Sequence, residues 1–110
     1  RTFCRRKELA EAASKLADFS IITSDNPDFE SPSNIIEDIL SYFDKHSPYT
    51  VIEDREEAVR FAVNFAEKGD IVLFAGKGHE NYQLIKGKKF PFSERAIILD
   101  EAAKVSLAVF

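Results

Sequence analysis

Helical and extended hydrophobic periods alternate along this chain, and that alternation constrains its fold more than any other feature. Leu9, Ala12, Ala13 and Leu16 recur on one face at helical spacing, with Lys7, Glu8, Glu11 and Lys15 opposite them. Phe19-Ser20-Ile21-Ile22-Thr23 then switches to the β-branched and aromatic chemistry of a strand. Ser31 before Pro32 offers a hydroxyl at an N-cap and a ring at N1, opening a helix with Ile35, Ile36, Ile39, Leu40 and Phe43 as its apolar stripe. Thr50-Val51-Ile52 is the next predicted strand. Asp54 and Glu57 have capping-box spacing ahead of a helix with Ala58, Val59, Ala62, Val63 and Ala66 inward, and Lys68-Gly69 is expected to close it. Ile71 to Ala75 is unbroken apolar sequence, the pattern of a strand buried on both faces in the middle of a parallel sheet. Tyr82 to Ile85 and Lys88 to Phe90 flank Lys86-Gly87 as a β-hairpin, and Ser93 caps a last helix carrying Ile98, Ala102 and Val105.

Strands alternating with helices of this length predict an α/β fold: a three-layer, Rossmann-like, mostly parallel sheet with flanking helices and a C-terminal β-hairpin. Such a sheet ordinarily begins on a strand, whereas a helical pattern follows Arg1 directly, so a first strand and a preceding domain are expected upstream of Arg1. With no internal repeat or long linker, the 110 residues read as a single domain over 1–110. Hydrophobic residues at 45% and charged residues at 31% exclude a disordered or collagen-like chain. One cysteine, Cys4, and no Cys/His cluster of zinc spacing exclude a disulfide scaffold and a structural zinc site, which fits a cytoplasmic setting. Apolar runs stay far below the roughly 18 residues that cross a bilayer, and no secretory signal is present, so no membrane partner is expected. A net charge of -4 and a pI of 5.2 argue against nucleic acid as a partner. The basic groups Arg1, Arg5, Arg6, Lys7 and Lys86, Lys88, Lys89 read as solvated surface.

Ligands of open α/β sheets bind beyond the carboxyl ends of the strands, and two turns there are chemically unusual. Ser24-Asp25-Asn26-Pro27-Asp28 concentrates carboxylates, an amide and a proline that holds Asn26 extended. Gly76-Lys77-Gly78-His79-Glu80 sets a cation, an imidazole and a carboxylate beside two glycines that permit close backbone approach. The second turn lacks the early glycine and the hydroxyl of a P-loop, and no second histidine completes H-E-x-x-H, so neither a phosphate loop nor a metal site is assigned. His46 reads as an exposed helix-end residue, Cys4 as inert, and Phe61 with Phe65 as packing.

The S-D-N-P turn, V-I-x-D-R-x-E-A over 51–58, G-D-I-V-L-F-A-G-K-G-H-E-x-Y-Q over 69–83 and P-F-S-E-R over 91–95 together resemble the C-terminal domain of the Mur ligases, above all the tripeptide-forming branch. The resemblance implies the third domain of a three-domain enzyme, beginning near the Arg of a G-D-R turn, behind a UDP-sugar-peptide domain and a P-loop ATPase domain. It implies an ATP-dependent ligase of peptidoglycan precursor synthesis that adds a third-position diamino acid, L-lysine or meso-diaminopimelate, to UDP-MurNAc-L-Ala-D-Glu. ATP phosphorylates the D-Glu side-chain carboxylate, and the incoming amine displaces phosphate to form the amide. ATP and Mg2+ would be bound mainly outside this chain, which is expected to be inactive alone, and no catalytic base is assigned.

Carried over by motif, Arg1, Asp25, Asn26, Gly76 and Glu80 match positions that contact the amino acid. Arg1 and Asn26 suit its carboxylate, while Asp25, Glu80 and the Gly76 carbonyl suit its ammonium groups. Lys77, Gly78 and His79 complete the substrate loop, with His79 orienting it. Asp28 stands where the D-N-P-R pattern has arginine, and a carboxylate there would repel the distal carboxylate of meso-diaminopimelate, so L-lysine, or another diamino acid without that distal carboxylate, is the expected substrate on this reading. The competing readings are a stand-alone α/β small-molecule-binding or interaction module, and the equivalent domain of a related amide ligase such as folylpolyglutamate synthetase. The acidic residues favour a cationic substrate over the latter.

Overall fold

The computed structural model describes residues 3–25, 28–75 and 80–104. Its elements are α1 (Phe3–Leu16), β1 (Ser20–Ile22), α2 (Pro32–Leu40), β2 (Tyr49–Val51), α3 (Arg55–Phe65), β3 (Tyr82–Ile85), β4 (Lys88–Pro91) and α4 (Glu94–Lys104). β1 and β2 pair in parallel, with Ser20 opposite Tyr49 and Ile22 opposite Val51, so α2 is the crossover of a βαβ unit. β3 and β4 form the antiparallel hairpin. Lys86 and Gly87 take φ of 50° and 79°, the left-handed pair that a two-residue hairpin turn needs to follow strand twist.

Helix α3 shows how local sequence and packing agree. Asp54 is extended at the N-cap, and its carboxylate accepts the Glu57 N–H at 3.0 Å, a cap of about 1 kcal/mol. Ala58, Val59, Ala62 and Val63 are all buried, as their spacing predicts, on the helix that packs against β1 and α4. Small residues on both helices, Ala58 and Ala62 on α3 and Ala102 on α4, permit close approach of the axes. Across the outer side of this pair Arg60 bonds Asp100 at 2.8 Å and Glu101 at 2.9 Å. Hydrogen bonds from Arg60 hold the Asp100 carboxyl below the ordinary range, and those from Asn64 and Arg60 do so for Glu101, so both stay ionised to lower pH than unpaired carboxylates. α4 begins as predicted, with Ser93 Oγ accepting the Ala96 N–H at 3.2 Å.

Three local expectations are corrected. Ser31 occupies the N-cap of α2, yet its hydroxyl pairs with Ser33 Oγ at 3.0 Å instead of capping a backbone N–H. Phe43 lies beyond the end of α2 and packs edge-on against Tyr49, with centroids 5.9 Å apart. α3 ends at Phe65, and Gly69, with φ of 95°, belongs to a separate turn closed by the Asp70 N–H on Glu67 O at 2.9 Å.

The largest difference concerns Ile71 to Ala75, which joins no ladder among the described residues. Ile71 is 96% exposed and Leu73 86%, where a buried central strand was expected. Apolar runs report which side chains favour burial, but a strand also requires a neighbour whose backbone exchanges hydrogen bonds with it, and none of the described strands runs beside this segment. Phe61 stacks on Phe65 at 5.4 Å, and Phe65 meets Phe19 at 4.9 Å, an aromatic row at the end of α3 that serves packing. No described helix is long and apolar enough to cross a membrane.

Candidate functional site

The parallel register carries the chain past both strands to one end of the sheet. The Ile52 N–H bonds Ile22 O at 3.0 Å and the Ser24 N–H bonds Glu53 O at 3.3 Å, so the turns after β1 and β2 leave side by side. Between them and the hairpin lies an open cleft of about 640 Å³, lined by Ser24, Glu53, Asp54, Glu57 and Gln83 among others and, among the described residues, by no cationic side chain. Its size falls in the range of small-molecule sites, and its three carboxylates favour a positively charged occupant. Asp25, one residue beyond Ser24, is half-buried, with Oδ1 shut off from solvent.

Asp28 has a role that local sequence does not announce. Its φ is 55°, a left-handed conformation that aspartate tolerates better than most residues. Its N–H bonds Leu84 O at 2.9 Å, its carbonyl accepts the Lys86 N–H at 2.8 Å, and its Oδ1 accepts the Gly87 N–H at 2.6 Å. The acidic turn is thereby stitched to the hairpin through a parallel bridge to Ile85. Gly87 is required here twice over, by its positive φ and because a Cβ would meet the Phe29 ring at 3.1 Å. Further along the turn, Arg6 of α1 bonds Glu30 at 3.2 Å and Asp38 of α2 at 3.0 Å. Burial works against the Arg6 charge, but the hydrogen bonds to Glu30 and Asp38 outweigh it and raise the pKa.

A second cation, Arg55, gathers the rim. Nε and Nη2 approach Glu94 Oε1 at 2.9 and 2.7 Å, Nη1 donates to Ser24 O at 3.4 Å, and Nη2 donates to Ala75 O at 3.1 Å. Ser24 immediately precedes Asp25, and Ala75 immediately precedes Gly76, so the bases of both candidate turns meet one guanidinium. Glu80 is half-buried just before β3. Arg1, Asn26, Gly76, Lys77, Gly78 and His79 lie outside the described residues. His46 is exposed, with its N–H on Asp44 Oδ1 at 2.8 Å. Among the described residues no three His, Cys, Asp or Glu side chains converge as a metal-holding set.

Sequence reasoning missed Arg6, Arg55 and Glu94. A signal existed for Arg55: a cation in the first turn of a helix sits against the macrodipole and calls for a reason outside the helix.

An α/β domain in which one buried guanidinium holds the Ser24 and Ala75 carbonyls beside an acidic cleft is the class that fold and geometry define. The family described as "Mur ligase, glutamate ligase domain" matches residues 3–78, and the chain belongs to it. Among its relatives is the UDP-N-acetylmuramoyl-L-alanyl-D-glutamate--2,6-diaminopimelate ligase of Caldanaerobacter subterraneus subsp. tengcongensis, 48% identical over 101 residues, which cover 91% of this chain and 21% of that protein. The protein of the same name from Bacteroides thetaiotaomicron is 49% identical over 96 residues, covering 86% of this chain and 20% of its own. A solved structure of a ligase with that name superposes with a TM-score of 0.88 at 36% identity, covering 98% of this chain and 22% of the larger one. The chain thus spans about a fifth of the length of the curated relatives it matches.

Proposed function

We propose that this domain receives the diamino acid in an ATP-dependent ligase that extends UDP-MurNAc-L-Ala-D-Glu during peptidoglycan precursor synthesis in the cytoplasm. The observation that carries the reading is the hold of one guanidinium on the Ser24 and Ala75 carbonyls, beside a cleft lined by carboxylates. Asp25 and Glu80 receive the ammonium groups, with the Gly76 carbonyl as a further acceptor, and Arg1 and Asn26 hold the carboxylate. Lys77 and Gly78 shape the loop and His79 orients it. ATP, which with Mg2+ would be bound mainly by other domains, would transfer its terminal phosphoryl group to the D-Glu side-chain carboxylate and leave as ADP, giving the acyl phosphate. Against it the C–N bond forms, the C–O bond to phosphate breaks, and the amine's proton leaves.

Asp28 is part of the same turn, but its carboxylate is engaged by the Gly87 N–H. The names of the relatives favour 2,6-diaminopimelate over L-lysine, and it is the substrate proposed here. The complete enzyme, supplied with ATP, UDP-MurNAc-L-Ala-D-Glu and a panel of amino acids, is expected to release phosphate fastest with meso-diaminopimelate. A preference for L-lysine would overturn the choice of substrate, and indifference to every diamino acid would overturn the function.

A further inference from the structure

We infer that Arg55 is a positioning residue for the ligation, a clamp that sets the separation of the Ser24 carbonyl, just before Asp25, and the Ala75 carbonyl. The inference rests on the proposed amino-acid site and adds to it a residue that does not touch substrate.

Arg55 is the first residue of α3, where the exposed N–H groups of the helix disfavour a cation. It is nonetheless 5% exposed, with its carboxylate partner Glu94 at 11%. Glu94 opens α4, the end of a helix that welcomes negative charge, so the pair joins two helix N-termini and neutralises the buried guanidinium. A buried pair of this kind is weak in stability terms, because desolvation consumes most of the attraction, so stability alone does not account for it.

The remaining donors account for it. A guanidinium presents five N–H groups in one plane, and here its edges divide between Glu94 on one side and two backbone carbonyls on the other. Those carbonyls belong to Ser24 and Ala75, the residues from which the two proposed substrate turns depart. Residues 71–75 join no ladder among the described residues, so the hydrogen bond on Ala75 O is a fixed point at the end of that run. The planar group therefore acts as a spacer between the two turns, and an amino acid gripped from both sides depends on that spacing.

Lysine at this position keeps charge and stem but cannot reach three directions in one plane. In the complete enzyme, Arg55→Lys is expected to raise the KM for the diamino acid about tenfold or more, because misplacement by about 1 Å can cost about a hundredfold. The KM for ATP should move by less than about twofold, since this clamp holds the amino-acid turns and not the nucleotide. A variant that melts at lower temperature while both KM values stay put, or rise together, would reduce Arg55 to packing and overturn the inference. If Arg55→Lys does not fold, Glu94→Gln keeps shape and an accepting oxygen and is expected to raise the same KM about threefold through loss of a charge-assisted bond. No change there also overturns it. Glu80→Ala, measured in parallel, separates the two levels. If it leaves the amino-acid KM unchanged, the site reading fails and the inference with it; if it raises that KM while Arg55→Lys does not, only the clamp fails.

Discussion

Replacing Ile36 with aspartate is expected to abolish cooperative folding. Ile36 is 5% exposed on α2, the crossover helix that joins the two parallel strands and packs against α1. Removing its side chain forfeits roughly 1.5–3 kcal/mol of apolar burial. The carboxylate that replaces it carries a further penalty of several kcal/mol unless it finds a partner. None is at hand on its own helix: Pro32, Ser33, Ile39 and Leu40 occupy the positions one turn away. The sum approaches the whole net stability of a domain this size, about 5–15 kcal/mol. Loss of the sigmoidal melting curve in circular dichroism is the expected result, while Ile36→Val, costing about 0.5–1.5 kcal/mol, retains it. An Ile36→Asp protein melting within a few degrees of the parent would mean that α2 does not pack through this face.

The largest expected effect on activity is that of Glu80→Ala in the complete enzyme. A charge-assisted hydrogen bond to an ammonium group is worth about 1.5–3 kcal/mol, which corresponds to about a 10- to 150-fold rise in the KM for the diamino acid. On the proposed reading ATP binds mainly in other domains, so its KM should be affected far less. Steady-state kinetics with each substrate varied in turn separates the two. Equal increases for both would assign Glu80 a structural role and remove one of the two carboxylates on which the proposed site rests.

Legibility in the sequence followed the range of the interactions. The inward face of α3, the Asp54 cap, the Ser93 cap and the Lys86-Gly87 turn were all readable, because each depends on residues a few positions apart. The family was readable from motifs that span 24–95. The Ile71–Ala75 segment misled, since hydrophobic content states a preference for burial and leaves the partner strand unspecified. The hold of Asp28 on Gly87 spans 59 positions, and no local pattern encodes such a contact. Arg55 reaches Ser24, Ala75 and Glu94 across 31, 20 and 39 positions. Its motif neighbours were visible, but its contacts with the Ser24 and Ala75 carbonyls show only in the fold. Asp28 illustrates this most clearly: the sequence shows a carboxylate where the D-N-P-R pattern has arginine, and only the fold shows its Oδ1 on the Gly87 N–H.

The most direct test of the account is a crystal structure of the complete enzyme with meso-diaminopimelate bound. The account predicts the amino acid seated between the two turns, its ammonium groups within hydrogen-bonding distance of the Asp25 and Glu80 carboxylates. Density for the ligand away from both turns would contradict it.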